Sequence, residues 1–183
     1  MLILSCSEGK QKEYTNATQA VPIKSNLIIE IHDIIKTQEK MKKFPWWKNL
    51  CEMYDSEYLN LLKNIQHKEE FRYIFNNRKI YLSSILTNNN SPDLLLITSI
   101  SNIESNIHQL IQKFQKKNHE EKYEGAKIKK LKISNEENSV FYTIHNGIFI
   151  LSFSKILIQE SIRQLNNKID IFKSHPIKNL NQN

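Results

Sequence analysis

Six segments of the chain have the apolar pattern of β-strands. In each, β-branched or alternating apolar residues run for a short stretch between turn-forming residues. The clearest signal is Asn146-Gly147, because these two residues supply the positive φ angles of a type I′ hairpin turn. That turn sets a register in which His145 faces Ile148. The predicted strands are residues 26–32, 79–86, 93–99, 127–132, 140–145 and 148–153.

The predicted hairpin has one largely apolar face, which we expect to meet helices. That face holds Val140, Tyr142, Ile144, Phe149, Leu151 and Phe153. The opposite face mixes polar and apolar side chains, namely Phe141, Thr143, His145, Ile148, Ile150 and Ser152.

Helical spacing separates these strands. Asp33 is a predicted N-cap for a short helix over 34–43, and a helical layer follows over 46–75. Ser101 and Glu104 form a capping box that opens a helix over 101–114. Ser154 precedes a last helix with apolar residues at Ile158, Ile162 and Leu165.

The order of these elements predicts the fold class. Strand, helices, two strands, helix, three strands and helix is typical of an α+β protein. We expect an antiparallel sheet with helices packed on one face and a helical insertion after the first strand.

Length and composition fit a globular protein with little room for extra domains. The 183 residues are 39% hydrophobic and 25% charged, and no run of about 18 apolar residues follows the N-terminus. The predicted organisation is a signal remnant over 1–6, a polar tether over 7–20, an α+β domain over 21–168 and a polar tail over 169–183. The domain has two candidate half-modules, 21–100 and 101–168.

The first six residues predict a lipid anchor. Leu2-Ile3-Leu4-Ser5-Cys6 is a short apolar run that ends in a small residue before a cysteine, as a lipoprotein signal does. Cys6 would then be the acylated mature N-terminus. A secretory signal normally has a basic region and a longer apolar stretch. Either Met1 lies inside a longer apolar segment, or the run is a chance start of a cytoplasmic protein.

The net charge of +7 raises the question of an anionic partner. Only three of the 26 basic residues are arginines, which make the bidentate contacts of specific nucleic-acid recognition, so no specific nucleic acid is expected. The densest basic run holds Lys127, Lys129, Lys130 and Lys132. It is either the solvated face of a strand or a site for a polyanion or anionic lipid.

The sequence contains no recognisable catalytic, metal or cofactor motif. The histidines lack zinc-binding spacing, and no phosphate-binding glycine loop occurs. His32-Asp33 is an adjacent base and carboxylate, yet an edge histidine beside a helix cap explains it as well. Cys51 lies in an apolar helical context that favours a buried thiol. We therefore expect no catalytic residue and no cofactor, with a hydrolase as the least favoured alternative.

Several segments together resemble a known group of proteins. They are Val21-Pro22-Ile23, Phe44-Pro45-Trp46-Trp47-Lys48-Asn49-Leu50, the stretch from Asn146 to Ser154, and the stretch from Ile158 to Leu165. This pattern resembles exported lipoproteins of Bacteroidetes that carry an α+β repeat domain of unknown function.

The resemblance has implications for role and partners. It implies an envelope protein held to the membrane through Cys6, with a non-enzymatic scaffold or binding role and a possible envelope protein partner. The resemblance does not specify a small-molecule ligand. Members of the group are usually longer, so the chain is expected to be a truncated copy with open sheet edges.

Overall fold

The chain folds around one antiparallel β-sheet. The computed structural model describes residues 15–45, 73–75, 78–86, 92–100, 107, 119–132 and 139–174. The strands in this part of the chain are β1 (Leu27–Ile31), β2 (Ile80–Leu86), β3 (Pro92–Ser99), β4 (Glu120–Tyr123), β5 (Ala126–Lys132), β6 (Ser139–His145) and β7 (Ile148–Ser152). They form a seven-stranded sheet in the order β1-β2-β3-β7-β6-β5-β4, in which every neighbouring pair is antiparallel.

Helical elements complete the described structure. They are a 3-10 helix (Ala17–Ala20), α1 (Ile34–Met41), α2 (Lys155–Asn166) and α3 (Ile171–Ser174). An α+β fold with an antiparallel sheet and helices packed on it is therefore confirmed. Most of the predicted helices over 46–75 and 101–114 lie outside the described residues.

Both faces of the sheet are buried. The first face, which carries Tyr142 and Phe149, packs with Ile34 of α1 and with Phe75. The second face packs against α2 and the 3-10 helix, and it includes the buried residues Tyr81, Leu95, Ile97, Ile128, Ile148 and Ile150. Helices were expected on the first face only. The second face is covered as well, because α2 lies across β5, β6 and β7.

The last helix has the predicted apolar stripe. Ile158, Ile162 and Leu165 are buried against the second face, together with Leu157. Ser154 is the N-cap, as expected, although its side chain makes no capping hydrogen bond.

At the first helix, the Asp33 side chain caps α1. Its Oδ1 accepts a hydrogen bond from the Lys36 backbone N–H at 3.0 Å. The predicted cap is therefore confirmed, because this bond satisfies one of the free N–H groups of the first helical turn.

The predicted hairpin register is confirmed. β6 and β7 pair His145 with Ile148 and Phe141 with Ser152. The turn has the two positive φ angles that Asn-Gly favours, 51° at Asn146 and 76° at Gly147.

Strand β4 was not predicted from the sequence. Its residues, Glu120 to Tyr123, are charged and exposed or partly exposed at the edge of the sheet, so they show no apolar alternation. The turn that follows is of the same primed kind, since φ is 44° at Glu124 and 82° at Gly125. The available signal for this second hairpin was Gly125, because glycine marks turns and adopts positive φ without strain.

The folded part extends past both predicted domain bounds. Ala17 and Ala20, placed in the tether by the sequence analysis, are buried, and Asp170 and Ile171 of the predicted tail are buried too. Thr18 joins the two ends, since its hydroxyl donates to Asp170 Oδ2 at 2.8 Å. These short polar segments are ordered by long-range contacts that local sequence does not reveal.

The side chain of Gln164 ties the segment before β1 to α2. Its Oε1 accepts from the Ile23 backbone N–H at 3.0 Å, and its Nε2 donates to the Val21 carbonyl. Buried polar groups must be paired to avoid a desolvation penalty, so this double contact fixes the segment over the second face.

We expect Phe149→Ala to destabilise the domain by about 3–5 kcal/mol. The ring is 1% exposed and packs edge-on to Phe75 at a centroid distance of 5.8 Å and stacks on Tyr142 at 6.0 Å. Urea unfolding would measure the change in free energy. Ile156→Ala is the matched control, because Ile156 is 66% exposed on α2 and should change stability by less than about 0.5 kcal/mol. Equal losses for both variants would contradict this core assignment.

Candidate functional site

The lysine-rich strand β5 places its lysines on opposite faces of the sheet. Successive side chains of a strand point to opposite sides. Lys127 and Lys129 therefore lie on the side of the first face, whereas Lys130 lies with Ile128 on the side of the second. Lys132 is the last residue of β5 and pairs in register with Ser139. The run that looked like one basic patch in sequence is divided by the pleat of the sheet.

Glu120 partly neutralises the lysines on the first side. Its Oε1 lies 2.8 Å from Lys127 Nζ, and its Oε2 lies 3.9 Å from Lys129 Nζ. Hydrogen bonding to Lys127 is the main reason that the pKa of the Glu120 carboxyl is lowered from its ordinary value. The pair Lys127 and Lys129 is thus partly balanced within the protein.

Lys130 has a different environment. Its Nζ lies 6.0 Å from the centroid of the Phe141 ring, a distance suited to a cation–π contact. Among the described residues, no carboxylate forms an ion pair with Lys130.

Lys130 and Phe141 belong to a groove of about 550 Å³. The groove lies where β4, β5, β6 and the first residue of α2 meet, and it is lined by His119, Glu120, Glu121, Ile128, Lys130, Phe141 and Lys155. Lys155 Nζ lies 2.9 Å from Glu121 Oε2, so an ion pair joins α2 to the edge strand. Ile128 is buried and belongs to the core beneath α2. The groove thus combines apolar and charged walls.

Asn166, the last residue of α2, contacts the turns of both hairpins beside the groove. Its Oδ1 lies 2.8 Å from His145 Nε2, and its Nδ2 donates to the Glu124 carbonyl at 3.0 Å. One side chain at the end of α2 therefore connects the two hairpin turns. This connection positions β4, and with it one wall of the groove.

His32 and Asp33, the adjacent base and carboxylate of the sequence, have separate partners. His32 Nε2 lies 2.9 Å from Glu30 Oε1, whereas Asp33 caps α1. Lys79 Nζ also lies 2.9 Å from Glu30 Oε1. The charged group at this edge of the sheet is therefore centred on Glu30.

Two pKa shifts follow from this arrangement. The hydrogen bond from Lys79 is the main cause of the lowered pKa of Glu30. Burial, followed by the hydrogen bond to Glu30, raises the pKa of the Tyr81 hydroxyl. Tyr81 therefore stays protonated.

Cys6 and Cys51 lie outside the described residues. Across the described part of the chain, no three His, Cys, Asp or Glu side chains are grouped as metal ligands. The same residues include no helix that is long and apolar enough to cross a membrane.

The groove was not foreseen from the sequence. His119-Glu120 is a second adjacent base and carboxylate that the sequence analysis missed. Phe141 and Lys155 are distant from β5 along the chain, so only the fold brings them beside Lys130.

Comparison with known proteins adds no relative. No family model, curated protein or solved structure matches the chain.

We expect Glu30→Gln to lower stability at neutral pH and to have little effect in acid. A carboxyl with a lowered folded-state pKa stabilises the fold above its unfolded pKa, and this contribution is lost as pH falls through the folded value. Urea unfolding at about pH 7, 5 and 3 would show the wild-type advantage shrinking with acidity.

A double-mutant cycle with Lys79→Gln provides the control. The coupling should be on the order of 0.5 kcal/mol at neutral pH, since exposed ion pairs contribute little. A coupling that persists unchanged in acid would contradict the Glu30 assignment.

Proposed function

We propose that the chain is a lipid-anchored protein of the bacterial cell envelope whose α+β domain is a non-enzymatic scaffold or binding module. The observation that carries the proposal is the sequence Leu2-Ile3-Leu4-Ser5-Cys6. A lipoprotein signal peptidase cleaves before such a cysteine, whose thiol is acylated. Each buried CH₂ of an acyl chain contributes about 0.8 kcal/mol to membrane binding, so two or three chains give a firm anchor.

The spacing between Cys6 and the fold supports this arrangement. The buried 3-10 helix begins at Ala17. The ten residues from 7 to 16 can span at most about 35 Å when extended, because each residue adds about 3.5 Å. A domain anchored at Cys6 would therefore be held close to the membrane surface.

The groove supports a binding role for the domain. Its volume of about 550 Å³ lies within the range of about 300–1,000 Å³ that small-molecule sites have. The exposed edge strand β4 beside it offers backbone groups to an envelope protein partner. Both features belong to a module that holds a ligand or partner.

Lipidation is tested by expressing the gene from its native locus with the upstream DNA included. We expect the intact mass of a chain that begins at Cys6 with added diacyl or triacyl mass, recovered in the membrane fraction. Cys6→Ser should abolish acylation, because the acceptor thiol is lost, and the protein should no longer be recovered in acylated form in the membrane fraction. Mass spectrometry and fractionation provide the two measurements.

Cys51→Ser is the matched control, since it removes the other thiol and should leave the chain acylated. An unmodified chain that retains Met1 in the soluble fraction would refute the anchor and place the protein in the cytoplasm.

A polyanion or anionic-lipid binder is the second candidate. The observation that favours it is the charge of the β4–β5 corner. Residues 119–130 hold four lysines and three glutamates, and Lys155 adds a fifth lysine, for a formal charge of +2. Attraction of this kind weakens steeply with salt.

Heparin binding measured across a salt series tests this candidate. Lys127→Gln and Lys129→Gln, on the same side of the sheet, should each weaken binding and reduce the slope of log K against log salt by about 1 per lost contact. Glu120→Gln should strengthen binding, because it frees Lys127 and Lys129 from their carboxylate partner. Affinity that does not change with salt would exclude phosphate-type contacts.

A hydrolase is the least favoured alternative. His32 lies beside Glu30 at an exposed strand end, which suits an ion pair as well as a general base. Turnover in a hydrolase substrate screen, abolished by His32→Ala, would reverse this ranking.

A further inference from the structure

The groove beside β5 has an apolar part and a charged part. Its apolar side is formed by Ile128, which is 2% exposed, and by the half-buried ring of Phe141. Its charged lining comprises Lys130, Lys155 of α2, Glu120 and Glu121. Both glutamates have lysine partners, Glu120 in Lys127 and Glu121 in Lys155. A ligand that satisfies both sides must be charged at one end and apolar at the other.

The two lysines differ in what they can offer a ligand. Lys155 is engaged by Glu121 at 2.9 Å. Lys130 lies over Phe141 and has no carboxylate partner within the described part of the chain. An ammonium next to an aromatic surface pairs with an anion more strongly than one in open water, since the ring excludes part of the solvent. Lys130 is therefore the anion-binding group of the groove.

We infer that this groove binds a single small organic anion with an apolar body, such as a carboxylate attached to an aromatic or aliphatic group. The anionic head pairs with Lys130, and the apolar body lies against Phe141 and Ile128. The Lys155–Glu121 ion pair forms the wall that bounds the body on the α2 side.

The pleat of β5 argues for a small ligand over a polymer. A polyanion needs several cations on one surface, but Lys127 and Lys129 are turned to the other side of the sheet and face Glu120. A single ammonium above an apolar surface suits one anionic group. The inference supplies a ligand class for the proposed binding module and is independent of the lipid anchor.

The test uses 2-naphthoate as the probe and full-length protein carrying Cys6→Ser in every sample. We expect amide NMR shifts around Ile128, Lys130 and Phe141 with a Kd of about 1 mM or tighter, the range expected for a fragment of this size. Lys130→Gln should weaken binding by about tenfold or more, because one charge pair is lost. Lys130→Arg keeps the positive charge and should retain most of the affinity. The neutral analogue 2-naphthamide should bind as weakly as Lys130→Gln binds 2-naphthoate.

Lys122→Gln is the matched control. Lys122 is an exposed lysine of the neighbouring strand β4, and alternation places it on the opposite side of the sheet from Lys130. It should bind the probe as the wild type does. A thermal melt of each variant verifies folding.

Four results would overturn the inference, of which the first three concern the strength of binding and the fourth its location. The first three are the absence of shifts at about 5 mM probe, equal weakening by Lys122→Gln and Lys130→Gln, and equal binding of 2-naphthamide. The fourth is a set of shifts confined to residues outside the groove. Loss of the lipid anchor in the fractionation experiment would leave all of these readouts unchanged, so the two proposals fail separately.

Discussion

Burial of both faces of the sheet is the constraint on which the rest of the structure depends. A strand covered on both sides needs apolar residues at nearly every position, as in β7, where all five residues are buried. The one polar residue of β7, Ser152, is paired, since its Oγ donates to the Leu94 carbonyl at 2.7 Å. Charged chemistry is thereby displaced to the two edges of the sheet. At one edge of the sheet Glu30 forms an ion pair with Lys79, and at the other edge Glu120 forms an ion pair with Lys127.

Local sequence was sufficient where a single residue type determines the backbone. Asn146-Gly147 specified its turn, and the turn specified the register of β6 against β7. The stripe through Ile158 and Ile162 likewise predicted a helix without knowledge of its partner. The same reasoning failed at β4, because an exposed edge strand is held by pairing with β5 and needs no apolar residues of its own.

The candidate site illustrates why chemistry is harder to predict than fold. Lys127, Lys129 and Lys130 are near neighbours in sequence, yet the alternation of a strand sends the first two away from the third. The groups around Lys130 come from other segments of the chain. The Phe141 ring belongs to β6, and the Lys155–Glu121 ion pair joins α2 to β4. No sequence window contains this set, so only the folded sheet could reveal it.

The strand order makes the sheet two meanders joined at a seam. β1, β2 and β3 are consecutive neighbours, as are β4, β5, β6 and β7, and the two groups touch where β3 pairs with β7 along five residue pairs. Most neighbouring strands are joined by short connections, but two pairings are long-range. β1 pairs with β2 through positions such as Leu27 and Ser84, and β3 pairs with β7 through positions such as Leu95 and Ser152, each 57 positions apart. Because closing a longer loop costs more entropy and gives slower folding, these two pairings are the late steps of assembly. Until the seam closes, β3 and β7 each present an open apolar edge that another copy of the chain can pair with.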